Sequence, residues 1–131
     1  MLRYYYKIWV SLFAKIYKVQ NENYDASILL SLIILTTTNT INFFLLAYLS
    51  ITMFNVDLVN TNYGKLIIPL IFLTLNYLLL IRNNKHKKLL EKYRNVNINL
   101  GFYYFIFSCI AILLFVFMAI ISPELFGLKK I

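Results

Sequence analysis

The sequence contains little charge, and this shortage limits the kind of protein it can encode. Only 14% of its 131 residues are charged and 61% are hydrophobic, whereas soluble domains carry about 25% charged residues. A soluble fold of this composition would have to expose large apolar patches. The composition therefore excludes an ordinary soluble domain and indicates a membrane protein.

Residues that form catalytic, metal and cofactor sites are also scarce. His86 and Cys109 are the only histidine and the only cysteine, so we expect no intramolecular disulfide and no metal-ligand cluster. The three glycines supply no phosphate-binding loop, and the motifs G-x-S-x-G and H-E-x-x-H are missing. The five acidic residues are dispersed and form no pair for acid–base catalysis: Glu22, Asp25, Asp57, Glu91 and Glu124. We expect a non-enzymatic protein without a cofactor or metal.

Three long runs lack any charged residue, at 26–54, 66–81 and 95–123. A helical bilayer crossing needs about 20 apolar residues, and the flanking Lys65 and Arg82 can extend the short second run by snorkelling. Asp25 is the predicted N-cap of the first crossing. The sequence thus predicts an all-α integral membrane fold of one domain, residues 1–131, with transmembrane helices at 26–51, 65–82 and 100–122. The absence of charge inside these runs argues against proton relays and ion-coupled transport, but leaves open an oligomeric channel with charged mouths.

The segment before the first crossing, residues 1–20, predicts an amphipathic helix in the membrane interface. No cleavable signal peptide is expected, because its apolar stretch is short and ends at Lys15. On a helical wheel the basic face would meet headgroups and the apolar face would meet acyl chains; a helix that packs on a partner is the alternative. The basic face comprises Arg3, Lys7, Ser11, Lys15 and Lys18, and the apolar face Leu2, Tyr5, Trp9, Leu12, Phe13 and Ile16.

The distribution of basic residues predicts the orientation. With a cytoplasmic loop at 83–99, an outer loop at 55–64 and an outer tail at 123–131, ten cations lie inside and only Lys65, Lys129 and Lys130 lie outside. The positive-inside rule then places the N-terminus in the cytoplasm and the C-terminus outside. The net charge of +8 is explained by this topology and by attraction to anionic headgroups, so nucleic acid is not an expected partner. The predicted membrane-surface or partner-docking residues are Arg3, Lys7, Trp9, Lys15, Lys18, Arg82, Lys85, Lys87, Lys88, Lys92 and Arg94.

Small and polar side chains inside the crossings predict a helix-packing seam, because lipid offers such groups no hydrogen bonds. Counting 1.5 Å per residue places Ser31, Asn76 and Ser108 at a shared depth of about 8–10 Å, where they could form one hydrogen-bonded layer. Asn39 and Asn42 fall at roughly 20 and 24 Å, with no evident partner in the other two crossings. The seam comprises Ser27, Ser31, Thr38, Asn39, Asn42, Asn76 and Ser108.

This seam has three interpretations. It can serve structural packing within the chain, it can join copies in a homo-oligomer, or it can line a transport path. The two deep asparagines motivate the homo-oligomer hypothesis, because a buried amide that faces lipid is costly.

Three stretches, MLRYYYKIW, NYDASILLSLI and LNYLLLIRNNKHKKLLEKYR, resemble small three-span bacterial membrane proteins of uncharacterised function. The resemblance implies a bacterial cytoplasmic (inner) membrane and supplies no catalytic residues. The plan is also similar to that of small membrane effectors in bacterial defence or toxin systems. We therefore expect an interaction or assembly subunit of a membrane complex or homo-oligomer, with a pore-forming or membrane-disrupting effector as the alternative.

Overall fold

The part of the chain that the structure describes consists of helices joined by short turns. The computed structural model describes the backbone of residues 2–54 and 62–121 and the side chains of residues 2–50 and 67–121. The predicted outer tail 123–131 and residues 55–61 of the predicted outer loop lie outside these ranges. The helices are α1 (Leu2–Val19), α2 (Tyr24–Phe54), α3 (Asn62–Asn76), α4 (Lys85–Lys92) and α5 (Leu100–Ile121). The predicted all-α fold is confirmed.

Three segments are long and apolar enough to cross a membrane: Tyr24–Ser50, Ile67–Lys92 and Leu100–Ile121. Large apolar side chains remain on their outer faces, as at Phe107 and Ile120, each 72% exposed. Such exposure suits acyl chains as the surrounding medium and would be costly in water. These features indicate an integral membrane protein with three candidate spans after an N-terminal helix.

The helices alternate in direction around α2. Phe43 stacks edge-on with Phe72 at 5.9 Å, and Thr36 bonds Asn76, so α3 runs antiparallel to α2. Helix α5 runs parallel to α2. The Asn42 side chain bonds Tyr104, and further along both helices the Tyr48 ring contacts the Phe115 ring.

A tight turn joins α1 to α2 as a helical hairpin. Asn21 and Glu22 adopt left-handed conformations with φ of 51° and 64°, which asparagine tolerates in turns. The Asn23 carboxamide oxygen then accepts the Ala26 N–H at 3.1 Å and caps the first turn of α2. The prediction that Asp25 is the N-cap is wrong, because Asn23 occupies that position and α2 starts one residue earlier than Asp25.

The apolar face of α1 packs on protein. Trp9 is fully buried and Leu12 is 4% exposed, in a core cluster that includes Leu35 of α2 and Leu80. The expectation that this face meets acyl chains is therefore wrong, and the partner of the helix is the rest of the same chain. Ser11, assigned to the headgroup face by the wheel, is 1% exposed, because α5 covers it.

A break separates α3 from α4. A π-helical turn, Tyr77–Ile81, and a short 3-10 turn, Arg82–Asn84, follow α3, and Asn83 and Asn84 are both left-handed with φ of 60° and 58°. A left-handed pair cannot continue a right-handed helix. Residues 85–92 therefore form a separate helix that is bent away from α3 at this break, although both lie within the candidate span Ile67–Lys92.

Candidate functional site: a polar network and a basic surface

The Tyr5 hydroxyl joins α1 to both α2 and α3. It donates to the Asn76 Oδ1 and accepts a hydrogen bond from the Asn39 Nδ2 at 2.7 Å. Asn76, only 1% exposed, also donates from its Nδ2 to the Thr36 Oγ1 at 2.9 Å. A phenol is protonated at neutral pH, because its ordinary pKa is about 10, so the Tyr5 hydroxyl is available as a donor.

Tyr104 brings α5 into the same set of hydrogen bonds. Its hydroxyl donates to the Asn39 Oδ1 at 3.2 Å and accepts from the Asn42 Nδ2 at 2.9 Å. The carboxamides of Asn39 and Asn76 thus each use both their oxygen and their nitrogen. We call the six residues the polar network: Tyr5, Thr36, Asn39, Asn42, Asn76 and Tyr104. It ties four helices together in a medium that offers no competing hydrogen bonds.

Two expectations about the seam fail on this geometry. The sequence offers Asn39 and Asn42 no evident partner in the other two crossings, but Tyr104 of the third crossing and Tyr5 of α1 supply their hydrogen bonds. The expected layer of Ser31, Asn76 and Ser108 is not formed. Asn76 instead lies level with Thr36 and Asn39, five and eight residues beyond Ser31.

The small residues of the seam bond within their own helices. The hydroxyls of Ser31 and Ser108 donate to the carbonyls of Ile28 and Tyr104 at 2.9 and 3.0 Å. Ser27 and Thr38, both 0% exposed, likewise donate to the Asn23 and Ile34 carbonyls at 2.5 and 2.7 Å. Their buried positions place them at helix contacts, where small side chains permit close approach.

A close helix contact lies between α1 and α5, at Gly101. A Cβ at this position would overlap the Leu12 side chain and would lie 2.6 Å from the Ile8 carbonyl oxygen. The Gly101 N–H, in the first turn of α5, donates to the Ser11 Oγ at 2.9 Å. A side chain from another helix thus satisfies one of the N–H groups that a helix start leaves free. Apart from a glycine at a helix start, nothing in the sequence indicates that Gly101 and Ser11 pair.

A cleft of about 570 Å³ adjoins the polar network, between α1, α2 and α3. Leu2, at the start of α1, lines it together with Phe43 and Phe72. Because α1 begins beside the middle of α2, it covers α2 and α3 only up to this point. Asn39 and Asn42 lie at the polar end of the cleft.

The basic residues predicted to dock on a membrane or partner are mostly exposed. Lys7 and Lys15 are half-buried: the Lys15 ammonium bonds the Asn99 Oδ1 at 3.3 Å and lies 3.6 Å from the centre of the Phe102 ring. Trp9 is fully buried, which removes it from any docking surface. The exposed members are Arg3, Lys18, Arg82, Lys85, Lys87, Lys88, Lys92 and Arg94.

No group of three potential metal ligands occurs among the residues that the structure describes. Cys109 is a free, half-buried thiol on α5. His86 is 8% exposed, and its Nδ1 and the Trp9 Nε1 are buried without hydrogen-bond partners. The described side chains therefore offer packing, hydrogen bonding and a basic surface.

Comparison of the chain with protein-family models, with curated proteins and with solved structures finds no match.

Proposed function

We propose that the chain is a non-enzymatic interaction or assembly subunit of a complex in the bacterial cytoplasmic membrane. The proposal rests on a basic surface that packing holds in place on α4 and its flanks. We define this basic surface as Arg82, Lys85, Lys87, Lys88, Lys92 and Arg94, all of them exposed.

Buried side chains of α4 and of the residue after it hold the basic surface against the rest of the bundle. His86 and Tyr93, which alternate with its cations, are each 8% exposed, and Leu89 and Leu90 pack against the core cluster. The His86 ring also contacts the Tyr24 ring at 6.2 Å. The fixed array of cations suits an acidic surface on another subunit, with anionic headgroups as neighbours.

The proposed orientation has a cytoplasmic N-terminus and an outer C-terminus. Lys15 bonds Asn99 in the segment between α4 and α5, so the C-terminal half of α1 lies at the same end of the bundle as the basic surface. Lys15 and Lys18 thus lie at the same end as the basic surface, which supports the orientation expected from the positive-inside rule. Arg3 and Lys7, which flank Tyr5, lie nearer the middle of α2.

The polar network restricts the surfaces through which copies of the chain could associate. Asn39 and Asn42 have partners within one copy, so neither amide needs a second copy. Any homo-oligomer would therefore use the exposed apolar faces of the helices, and the subunit proposal assigns polar recognition to the basic surface.

The test is the particle mass in native membranes. The chain is extracted into lipid nanodiscs without detergent, and we expect the protein mass per disc, after the lipid and scaffold are subtracted, to exceed that of the 15.5 kDa monomer. A Lys85→Gln, Lys88→Gln and Lys92→Gln variant should lose the partner. The matched control neutralises the three cations predicted outside, Lys65, Lys129 and Lys130, and should keep it. A monomeric wild type, or equal loss in both variants, would contradict the proposal.

A pore-forming effector is the second candidate, favoured by the cleft that Asn39 and Asn42 line. If copies assembled with these clefts facing one another, the two amides would line an oligomeric path. Expression with a membrane-potential dye tests this idea. Rapid depolarisation that disappears in an Asn39→Leu, Asn42→Leu variant at equal membrane abundance would support it, and an unchanged potential would count against an autonomous pore.

A further inference from the structure

A second cleft, of about 600 Å³, lies between the start of α2 and the start of α4. Its inner wall is apolar and includes Ile28 and Leu32 of α2 and Ile81 before the helix break. Its mouth carries polar groups, among them Asn84 and Lys87. The cleft therefore combines a hydrocarbon-like wall with a polar rim at the end of a candidate span.

The rim contains the N-terminus of α4, which no side chain caps. Asn84 occupies the N-cap position in a left-handed conformation and makes no side-chain cap hydrogen bond. In contrast, Asn23 caps the start of α2. The Lys85 N–H donates to the Arg82 carbonyl of the preceding turn. The positive end of the helix dipole still favours an anion at such a start, and the Lys87 ammonium adds a full charge beside it.

His86 supplies an independent observation. It lines the cleft, it is 8% exposed, and its Nδ1 is enclosed without a hydrogen-bond partner. Buried polar atoms in folded proteins are nearly always paired. The His86 side chain thus forms part of the cleft wall, and one of its ring nitrogens is left unpaired by the chain itself.

The cleft also presents one negative charge. Asp25 lines it, and within the described residues Asp25 and Lys87 form no ion pair with each other. The Asp25 carboxylate and the Lys87 ammonium line the same cleft without pairing with each other. Together they are complementary to a ligand that carries both a cation and an anion.

We propose that this cleft binds one phospholipid with an amine-bearing headgroup. Lys87, His86 and the start of α4 receive the phosphate, and Asp25 receives the headgroup ammonium. An acyl chain lies along Ile28 and Leu32. Inorganic phosphate shares the anion chemistry but would leave the apolar wall uncovered, so the lipid is the expected source of the phosphate.

The experiment is native mass spectrometry of the whole protein, released from micelles after incubation with phosphatidylethanolamine, phosphatidylcholine, phosphatidylglycerol or inorganic phosphate. Wild type should retain one phosphatidylethanolamine in preference to the other probes. Lys87→Gln should weaken its retention about tenfold, because a charge-assisted hydrogen bond is lost. Lys88→Gln is the matched control: it removes the same charge from the next residue, which does not line the cleft, and should change retention less than about threefold.

A second variant tests the headgroup assignment. Asp25→Asn should abolish the preference for phosphatidylethanolamine over phosphatidylcholine while one phospholipid remains bound. Equal retention in the Lys87 and Lys88 variants would overturn the proposal. Inorganic phosphate that binds as tightly as the lipid would also overturn it, since the apolar wall would then contribute nothing.

Discussion

Gly101→Ala tests the contact between α1 and α5 most sharply. The added methyl group would overlap the Leu12 side chain and would lie 2.6 Å from the Ile8 carbonyl oxygen and 2.9 Å from the Leu12 nitrogen. Two of these atoms belong to the backbone, so rotation of a side chain cannot relieve the overlap. The two helices must separate, and the hydrogen bond from the Gly101 N–H to Ser11 is then lost.

The expected magnitude follows from three contributions. Overpacking a close contact costs about 1–3 kcal/mol, and the lost hydrogen bond costs about 1 kcal/mol. Replacing glycine by alanine in a helix returns at most about 1 kcal/mol through helix propensity. We therefore expect Gly101→Ala to lower the free energy of unfolding by about 2 kcal/mol. Helix propensity alone predicts the opposite sign.

The assay is a titration from mild detergent into dodecyl sulfate, followed by the fluorescence of Trp9. Trp9 is the only tryptophan, and it is fully buried on α1 beside this contact. Ser11→Ala is the comparison variant, because it removes the hydrogen bond without adding volume and should cost about 1 kcal/mol. In the Gly101→Ala background the same change should cost nearly nothing, since the bond is already broken. A Gly101→Ala protein as stable as wild type would refute the close approach of the two helices.

Three further predictions concern single residues. Tyr5→Phe should destabilise the protein by about 1–3 kcal/mol, because buried amide groups lose their partner; in the same titration, Tyr103→Phe at a 58% exposed position should have little effect. Asn83→Gly should be about 1 kcal/mol more stable than Asn83→Ala, as the left-handed backbone requires, and the reverse order in thermal unfolding would contradict the kink. Asn23→Ala should cost about 1 kcal/mol as a lost N-cap, whereas Asp25→Ala should cost less; equal losses in helicity measured by circular dichroism would show that the cap is misassigned.

The spans and the N-terminal helix follow from local patterns. Uncharged runs of sufficient length predict crossings whatever the neighbouring helices do, and the period of basic and apolar residues predicts a helix over residues 1–20. The same pattern does not identify the partner of the apolar face. Trp9 and Leu12 could be buried equally well in acyl chains or in a protein groove. Which of the two occurs depends on how the whole chain folds.

The polar network depends on side-chain reach and on helix register, which counting residues does not supply. A depth count treats each residue as a point on a straight helix, whereas the Tyr5 and Tyr104 hydroxyls act several ångströms from their own backbones. The chain has 11 tyrosines, so the sequence alone does not distinguish Tyr5 and Tyr104 from the others. The break at Asn83 and Asn84 had a weak signal, because consecutive asparagines tolerate left-handed backbone.

The exposure of Trp9 to lipid tests most directly whether α1 packs into the helix bundle. The whole protein is reconstituted in phospholipids brominated midway along their acyl chains, which quench tryptophan fluorescence on contact. If α1 packs into the bundle, Trp9 should be weakly quenched, whereas a Trp9→Phe, Phe107→Trp variant should be strongly quenched at its 72% exposed position on α5. Equal quenching of the two proteins would show that α1 lies free in the membrane, and would remove the polar network together with the fixed bundle on which the subunit proposal rests.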